Sequence, residues 1–517
     1  MTNSRSSGRW SEQLPKQLLA GLLFFTLWLA GCSKQNQHFA GPQADAQGHL
    51  RYGQITFTPC SLKGTAQQGV QAQCANVEVA ENPTDPDGRK ITLALAMISA
   101  EGIAEADPVF MLAGGPGQSA LESYPSIQTA FANVLRNRNI LLLDARGTGG
   151  SNLLQCDMPA DDDSLFDARY QTPEAILAQT TSCRDKLAQT ADLRYYTTAE
   201  HIADLDFIRS QLGVERVNLV GISYGTRVAQ QYAATYPTHV RALVLDSVVP
   251  NTLVLGSEHA RNLEDALNRQ FERCRTDSAC QNQLGNPAEQ LVRVRRHLQT
   301  QNLSAVRYRD PVNGSWRKEV PSFAHLSGLL RMYAYQPAMA ATLPLLLHEA
   351  AQERYQSLLA QSRLLAQDLG NSIAMGMSLS VTCTEDGDEF DPDSHSENTI
   401  LGTEFIDNIQ ISCSVWPRGK RSANFRTPLS GNIPVLAISG EFDPVTPPRY
   451  GDEVIAHLSA GLHLVLPGQG HSVLGTGCMP RLFAQFIETA DVGTLDASCL
   501  QRLSAQAPFA GNYGWEP

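Results

Sequence analysis

No two of the eleven cysteines are spaced C-x-x-C and no H-E-x-x-H occurs, so the common zinc signatures are missing and no metal is expected. Positive charge is not in excess either. Forty Lys and Arg stand against 52 Asp and Glu, a formal net charge of -12, and no polybasic run offsets it. That balance excludes a general nucleic-acid or anionic-membrane binder. The uncharged stretch near the start, Leu18 to Ala30, is too short for a comfortable membrane span. No internal repeat or low-complexity tract is evident.

What is present is a globular composition, 42% hydrophobic and 18% charged, in 517 residues. That length suits a main domain with a large insertion, or two domains. Arg5, Arg9 and Lys16 precede the Leu18 to Ala30 stretch in the manner of an export signal. The stretch ends in Leu29-Ala30-Gly31-Cys32, which resembles the bacterial lipobox. The resemblance implies a lipoprotein signal peptide over residues 1–31 and a lipid on Cys32. Ser33 in place of Asp then favours the outer membrane, facing periplasm or exterior. Setting Cys32 aside leaves an even number of cysteines, suited to an oxidising compartment. Sequence neighbours suggest pairing Cys60 with Cys74, Cys156 with Cys183, Cys274 with Cys280, Cys383 with Cys413, and Cys478 with Cys499.

Residues 32–50 read as a tether, and Ile55-Thr56-Phe57, Val77-Glu78-Val79 and the run Ile91 to Ser99 as antiparallel leading strands. The short apolar runs Pro108 to Leu112, Asn139 to Leu143, Val217 to Val220 and Ala242 to Asp246 have the pattern of strands buried on both faces of a parallel sheet. Between them, Thr197 and Glu200 open a helical pattern with a capping box. Alternating strands and helices predict a doubly wound α/β sheet. The alternation stops over residues 251–426, where the pattern is polar and mostly helical, for example Leu326 to Tyr335 and Leu343 to Leu369. It resumes at Ile433 to Ile438 and Leu462 to Leu466, and a helix around Pro480 to Thr489 closes the chain. The expected organisation is a sheet-bearing core over 51–250 and 427–517, with a helical cap over 251–426 above the strand ends.

The chemistry centres on Gly221-Ile222-Ser223-Tyr224-Gly225, which lies between the Val217 strand and a helical segment. G-x-S-x-G in that setting is a nucleophile elbow, with small residues flanking the serine where strand and helix nearly touch. A serine needs a base, and the base an orienting carboxylate. In α/β-hydrolases the acid and then the histidine follow the serine in the chain. His471 sits in the glycine-rich loop Pro467-Gly468-Gln469-Gly470-His471, after a late strand. Asp443, in Gly440-Glu441-Phe442-Asp443-Pro444, is the acid, with Glu441 as competitor. The oxyanion donors are expected to be the N–H of Tyr224 and, from Ala113-Gly114-Gly115-Pro116-Gly117, the N–H of Gly115. Gly147-Thr148-Gly149-Gly150 resembles a dinucleotide loop, but Asn152 replaces the third glycine. No cofactor is expected.

These motifs, with Asp144-Ala145-Arg146-Gly147-Thr148-Gly149-Gly150-Ser151 and Gly440 to Pro447, resemble the proline iminopeptidase and tripeptidyl aminopeptidase family of α/β-hydrolase serine exopeptidases. The resemblance implies removal of residues or short peptides from free peptide N-termini, with Ser223, Asp443 and His471 as the triad. Ala113 stands where proline iminopeptidases usually carry His, and Ala145 where Gln is frequent. The first difference favours the exported tripeptidyl-type branch. Thr382-Cys383-Thr384-Glu385-Asp386 resembles that branch's Cys-x-Glu-Asp stretch, which makes Glu385 and Asp386 the candidates for holding the substrate ammonium. The same triad also serves a carboxylic-ester hydrolase, and a binding lipoprotein on the same fold is the non-enzymatic alternative.

Overall fold

A computed structural model of the protein describes residues 41–46, 49–64, 69–157, 170–369, 372–391 and 396–510. Cys32 and the expected signal peptide lie outside the described residues.

Its strands are β1 (Gln43–Ala44), β2 (Leu50–Tyr52), β3 (Ile55–Leu62), β4 (Val70–Ala80), β5 (Lys90–Ile98), β6 (Val109–Leu112), β7 (Ile140–Leu143), β8 (Val217–Ile222), β9 (Val240–Asp246), β10 (Val306–Arg309), β11 (Trp316–Glu319), β12 (Val435–Gly440) and β13 (Gly461–Leu466). All but β10 and β11 join one eleven-stranded sheet in the order β1-β2-β3-β4-β5-β7-β6-β8-β9-β12-β13. The leading strands pair antiparallel, and from β7 onward neighbours run parallel. Every residue of β6, β7 and β12 is buried, as the unbroken apolar runs require of parallel strands covered on both faces. β1 and the start of β2 fall within the expected tether: Gln43 pairs with Arg51 and Ala44 with Leu50, so the chain joins the sheet edge earlier than predicted.

The helices of the first half are α1 (Ala120–Phe131), α2 (Pro173–Leu187), α3 (Thr198–Gln211) and α4 (Tyr224–Thr235). The capping box predicted at Thr197 and Glu200 starts α3. Between β9 and β12 lie α5 (His259–Thr276), α6 (Ser278–Leu284), α7 (Pro287–Thr300), α8 (Phe323–Tyr333), α9 (Pro337–Ala340), α10 (Leu343–Ala350), α11 (Gln356–Leu369), α12 (Met375–Glu385) and α13 (Glu404–Val415). α14 (Pro448–Ile455) and α15 (Met479–Thr489) complete the chain.

Apolar cores form on the sheet and among the inserted helices. One joins sheet residues such as Met111, Val220 and Ile438 to Phe131 of α1 and Phe483 and Phe486 of α15. Another lies among the inserted helices, around Leu267, Val294, Leu329, Leu347 and Leu358.

Two features of the insertion depart from expectation. The helical stretch Leu343 to Leu369 is broken between α10 and α11, with Glu353 left-handed at φ 61°. The break lets Leu347 and Leu358 face the same core. The hairpin β10–β11 was not predicted. Its four-residue strands are rich in Arg and Lys, and Tyr308 is the buried anchor of its inner face.

Five disulfides form with the pairings predicted from sequence neighbours. A chain with this many is an exported protein of an oxidising compartment. No helix among the described residues is long and apolar enough to cross a membrane.

The strand order places the site. From β6 the chain crosses through α1 to β7 on one side, then returns to β8 on the other side of β6. The carboxyl ends of β6 and β8 therefore flank a topological switch point, where ligands bind in such sheets. A buried clamp holds the loop after β7 against α3. Arg146 donates to both oxygens of Asp204 at 2.8 and 2.7 Å and to the carbonyls of Glu81 and Tyr195 at 2.8 and 2.9 Å. We expect Asp204→Asn to cost about 3–5 kcal/mol by leaving a buried guanidinium unbalanced. This would be read as a lowered urea midpoint, and Arg146→Met in the same chain should recover part of it. An unchanged midpoint in the single variant would refute the clamp.

Candidate functional site

Steric necessity shapes the elbow. Ser223 is held at φ 56°, ψ -122° between β8 and α4. A Cβ on Gly225 would stand 2.3 Å from the Leu112 carbonyl oxygen, and one on Gly221 2.4 Å from the Gly225 carbonyl oxygen, so neither position accepts a side chain. The Ser223 N–H donates to the Asp246 carbonyl at 2.8 Å, and its own carbonyl accepts from the Thr226 N–H and hydroxyl at 2.9 and 2.6 Å. The strained turn is thereby fixed by bonds on both sides. α4 begins at Tyr224, so that residue's N–H is among the donors a helix start leaves free, at the positive end of the helix dipole.

Asp443 and His471 meet on the loops after β12 and β13. His471 Nδ1 lies 2.8 Å from Asp443 Oδ2. The remaining acceptor capacity of Asp443 is filled by the N–H groups of Val445 and Thr446, at 2.9 and 2.8 Å, and the Thr446 hydroxyl, at 2.8 Å. Burial by itself would raise the Asp443 pKa, but the His471 charge and these hydrogen bonds hold it below the usual value. Burial likewise pulls His471 down, and the Asp443 charge and hydrogen bond, helped by Asp246, outweigh it and raise the imidazole above its ordinary 6.5. Glu441, the competing acid, instead accepts from the Gly468 N–H at 2.8 Å and braces the loop that leads to His471.

Sequence reasoning missed Asp246. Its carboxylate accepts from the Val473 and Leu474 N–H groups at 2.9 Å each, and the neighbouring Ser247 hydroxyl accepts from the Ser472 N–H at 2.8 Å. Through its carbonyl the same residue holds Ser223. Asp246 thus ties the histidine loop to the elbow, although no hydrogen bond joins Ser223 Oγ to His471 among the described residues. Burial, then the charge of Asp443, pushes its pKa up to about 6 against the lowering by its two N–H donors and His471. The available signal was a carboxylate closing an otherwise apolar strand at the switch-point end.

The loop after β6 runs past the serine. A Cβ on Gly114 would lie 3.2 Å from Ser223 Cβ, and Gly115 follows with φ 105°. The loop of residues 144–151, which resembled a nucleotide cradle, is closed on itself. Asp144 accepts from the Ser119 hydroxyl and from the N–H groups of Leu121 and Gly150, at 2.7, 3.1 and 3.0 Å. Its carboxylate therefore braces the start of α1.

Glu385 and Asp386, the pair expected to hold the substrate ammonium, are both buried and bonded within the protein. Asp386 is fully buried. It is paired with Arg227 at 3.2 Å and Arg426 at 2.8 Å, and it accepts the Leu255 N–H at 2.9 Å. Glu385 accepts the Thr198 N–H and hydroxyl at 2.7 and 2.9 Å, at the start of α3. The Thr198 hydroxyl lies 2.6 Å from the Tyr224 hydroxyl. Both carboxylates help join α12 to α3 and α4: Asp386 through ion pairs and Glu385 through Thr198. Burial, then Asp386, pushes Glu385 up to about 7. Its side also lines a cleft of about 650 Å³ with Thr197, Gln231, Asn251 and Phe425. That cleft includes none of Ser223, Asp443 and His471, so chemistry rather than volume locates the site.

The inserted helices reach the site directly. The His471 N–H donates to the Tyr335 carbonyl at 2.8 Å. The Tyr335 ring stands edge-on to the imidazole with centroids 5.0 Å apart. A Cβ on Gly470 would lie 2.2 Å from the Tyr335 carbonyl oxygen, so this contact also demands glycine.

Comparison with known proteins gives the chain a family. The alpha/beta hydrolase fold family matches residues 107–477. The chain is 25% identical over 537 aligned residues to serine protease Hip1 of Mycobacterium tuberculosis, covering 94% of this chain and 98% of that one. It is 31% identical over 193 residues to the tripeptidyl aminopeptidase of Streptomyces lividans, covering 34% and 35% of the two chains. Among solved structures, proline iminopeptidase of Mycobacterium smegmatis aligns with a TM-score of 0.39 at 16% identity, covering 81% of this chain and all of that one. The chain belongs to the alpha/beta hydrolase fold family.

Proposed function

We propose that this protein is an exported serine exopeptidase that removes residues or short peptides from free peptide N-termini through an acyl-enzyme. The observation that carries the reading is the buried Asp443–His471 pair, tied by Asp246 to the elbow that bears Ser223. The relatives named serine protease and tripeptidyl aminopeptidase support it.

In the reaction, Ser223 Oγ attacks the scissile carbonyl carbon while His471 takes its proton, and the carbonyl oxygen gains the charge. The N–H groups of Tyr224 and Gly115 receive that oxyanion, the first backed by the start of α4. The C–N bond then breaks and His471 returns the proton to the leaving amine. Water, deprotonated by His471, releases the acyl group and restores Ser223. Asp443 holds the imidazole with Nδ1–H toward itself, so that Nε2 is the basic atom. The chain is anchored by a lipid on Cys32, on the side of the outer membrane facing periplasm or exterior; the lipobox resemblance and the five disulfides support this placement.

The direct test is turnover by the full chain in detergent. Chromogenic peptides of one, two and three residues would be compared with free and acetylated N-termini, beside a short-chain ester. A free N-terminus should be strongly preferred, and Ser223→Ala should lower kcat by roughly 10⁴–10⁶-fold. Hydrolysis of the ester alone would assign an esterase, and activity that survives Ser223→Ala would refute the mechanism.

The pH profile gives a second test. His471 is a base only when neutral, and its pKa is raised, so kcat/KM should climb with pH through a midpoint above 6.5. Asp443→Asn removes the main upward influence and should move that midpoint to lower pH while lowering kcat about 10⁴-fold. A midpoint that stays in place would show that another group governs the acid limb.

A further inference from the structure

The cap side of His471 carries a charge that nothing above uses. Arg331 lies in the last turn of α8, four residues before Tyr335. Its guanidinium carbon is 4.3 Å from the centroid of the Phe405 ring on α13. The His259 ring, at the start of α5, packs 5.3 Å from the same centroid, and its buried Nδ1 has no hydrogen-bond partner among the described residues. Tyr335 in turn stands 5.0 Å from the His471 ring. A continuous wall thus runs from the imidazole of the triad through Tyr335 and Arg331 to Phe405 and His259.

Arg331 is half-buried, and no Asp or Glu among the described residues lies within ion-pair distance of it. The acids that could compete are committed elsewhere. Asp443 is filled by His471, Thr446 and Val445. Asp386 is filled by Arg227 and Arg426, and Glu258 by Arg449 and Tyr450. His259 adds no charge, because burial, then the positive charges of Arg331 and His471, holds it down to about 3. The guanidinium lies over the Phe405 ring, and its planar fork of donors fits a carboxylate two-handed.

We propose that Arg331, with Tyr335 and His259 beside it, forms a carboxylate-binding subsite next to the triad, which selects peptides carrying a carboxylate near the scissile bond. The carboxylate is either an acidic side chain or the free C-terminus of a short leaving peptide. The inference rests on the serine-peptidase reading for its substrate.

The test compares matched peptides on the full chain in detergent. One pair differs only in a free or amidated C-terminus. The others carry Glu or Gln at positions flanking the scissile bond, with the C-terminus amidated. The acidic member of at least one pair should have a KM lower by about 10- to 100-fold, the range expected of a charge-assisted hydrogen bond. The pair that responds identifies the source of the carboxylate. Arg331→Met should abolish the ratio, Arg331→Lys should keep part of it, and Arg331→Glu should invert it. Binding of the same pairs to the Ser223→Ala chain by calorimetry reads the subsite without turnover, so failure of the peptidase reading is separable from failure of the subsite. Equal affinity for acidic and neutral members in that chain, or a ratio unchanged by Arg331→Met, overturns the proposal and leaves Arg331 a packing residue of α8.

Discussion

One buried carboxylate holds the two halves of the site together. Asp246 ends β9, and from there its carbonyl reaches the Ser223 N–H while its side chain reaches the N–H groups of Val473 and Leu474. Burying an ionised carboxylate costs several kcal/mol unless hydrogen bonds replace its water. Here the replacements are backbone groups of the loop that carries His471, the proposed base, so the interaction that offsets the burial also fixes the position of that histidine. The sheet supplies the rest. Because β8, β9 and β12 run parallel with their carboxyl ends aligned, Ile222 opposite Asp246 and Asp246 opposite Ile438, the residues just beyond those ends are brought together without a long loop.

The same economy governs the remaining acids. In a chain with a surplus of negative charge, the carboxylates around the site are almost all consumed by neighbours. Asp144 braces the start of α1, Asp204 balances Arg146, and Asp386 balances Arg227 and Arg426. Arg227 belongs to α4, the helix that follows the nucleophile, and Asp386 directly follows α12. The pair is fully buried on both sides. Its value is therefore geometric: a pair so costly to bury gives little net stability, yet it allows few alternative placements of α12 on α4.

What the sequence revealed and what it hid divide by range. The elbow was legible because sterics act within five residues, and the clash distances at Gly221 and Gly225 show why no other residue type serves. The parallel strands were legible because burial on both faces leaves an unbroken apolar run. Asp443 and His471 followed from chain order and loop context. Asp246 was hidden because its partners lie 227 and 228 positions away, and no local pattern encodes that pairing. The turn after α10 was hidden for a related reason. Ala351, Gln352, Glu353 and Arg354 are mostly good helix formers, and the break is imposed by packing of the inserted helices. The ion pairs of Asp386 were hidden in the same way, since the arginines that neutralise it come from positions 227 and 426.

The inserted segment is joined at two places to the elements that carry Ser223 and His471. On one side Asp386 is clamped to α4. On the other, the Tyr335 carbonyl takes the N–H of His471 itself, across a contact that leaves no room for a Cβ at Gly470. A rigid-body lift of the inserted helices would break that bond and pull on the loop that Asp246 holds. Tyr335, Arg331, Phe405 and His259, which line the inserted side of His471, are therefore held in place, as the proposed subsite requires. Selectivity in such a site comes from which substrate groups find partners on a wall already in place, since preorganised donors act without reorganising as the reaction proceeds.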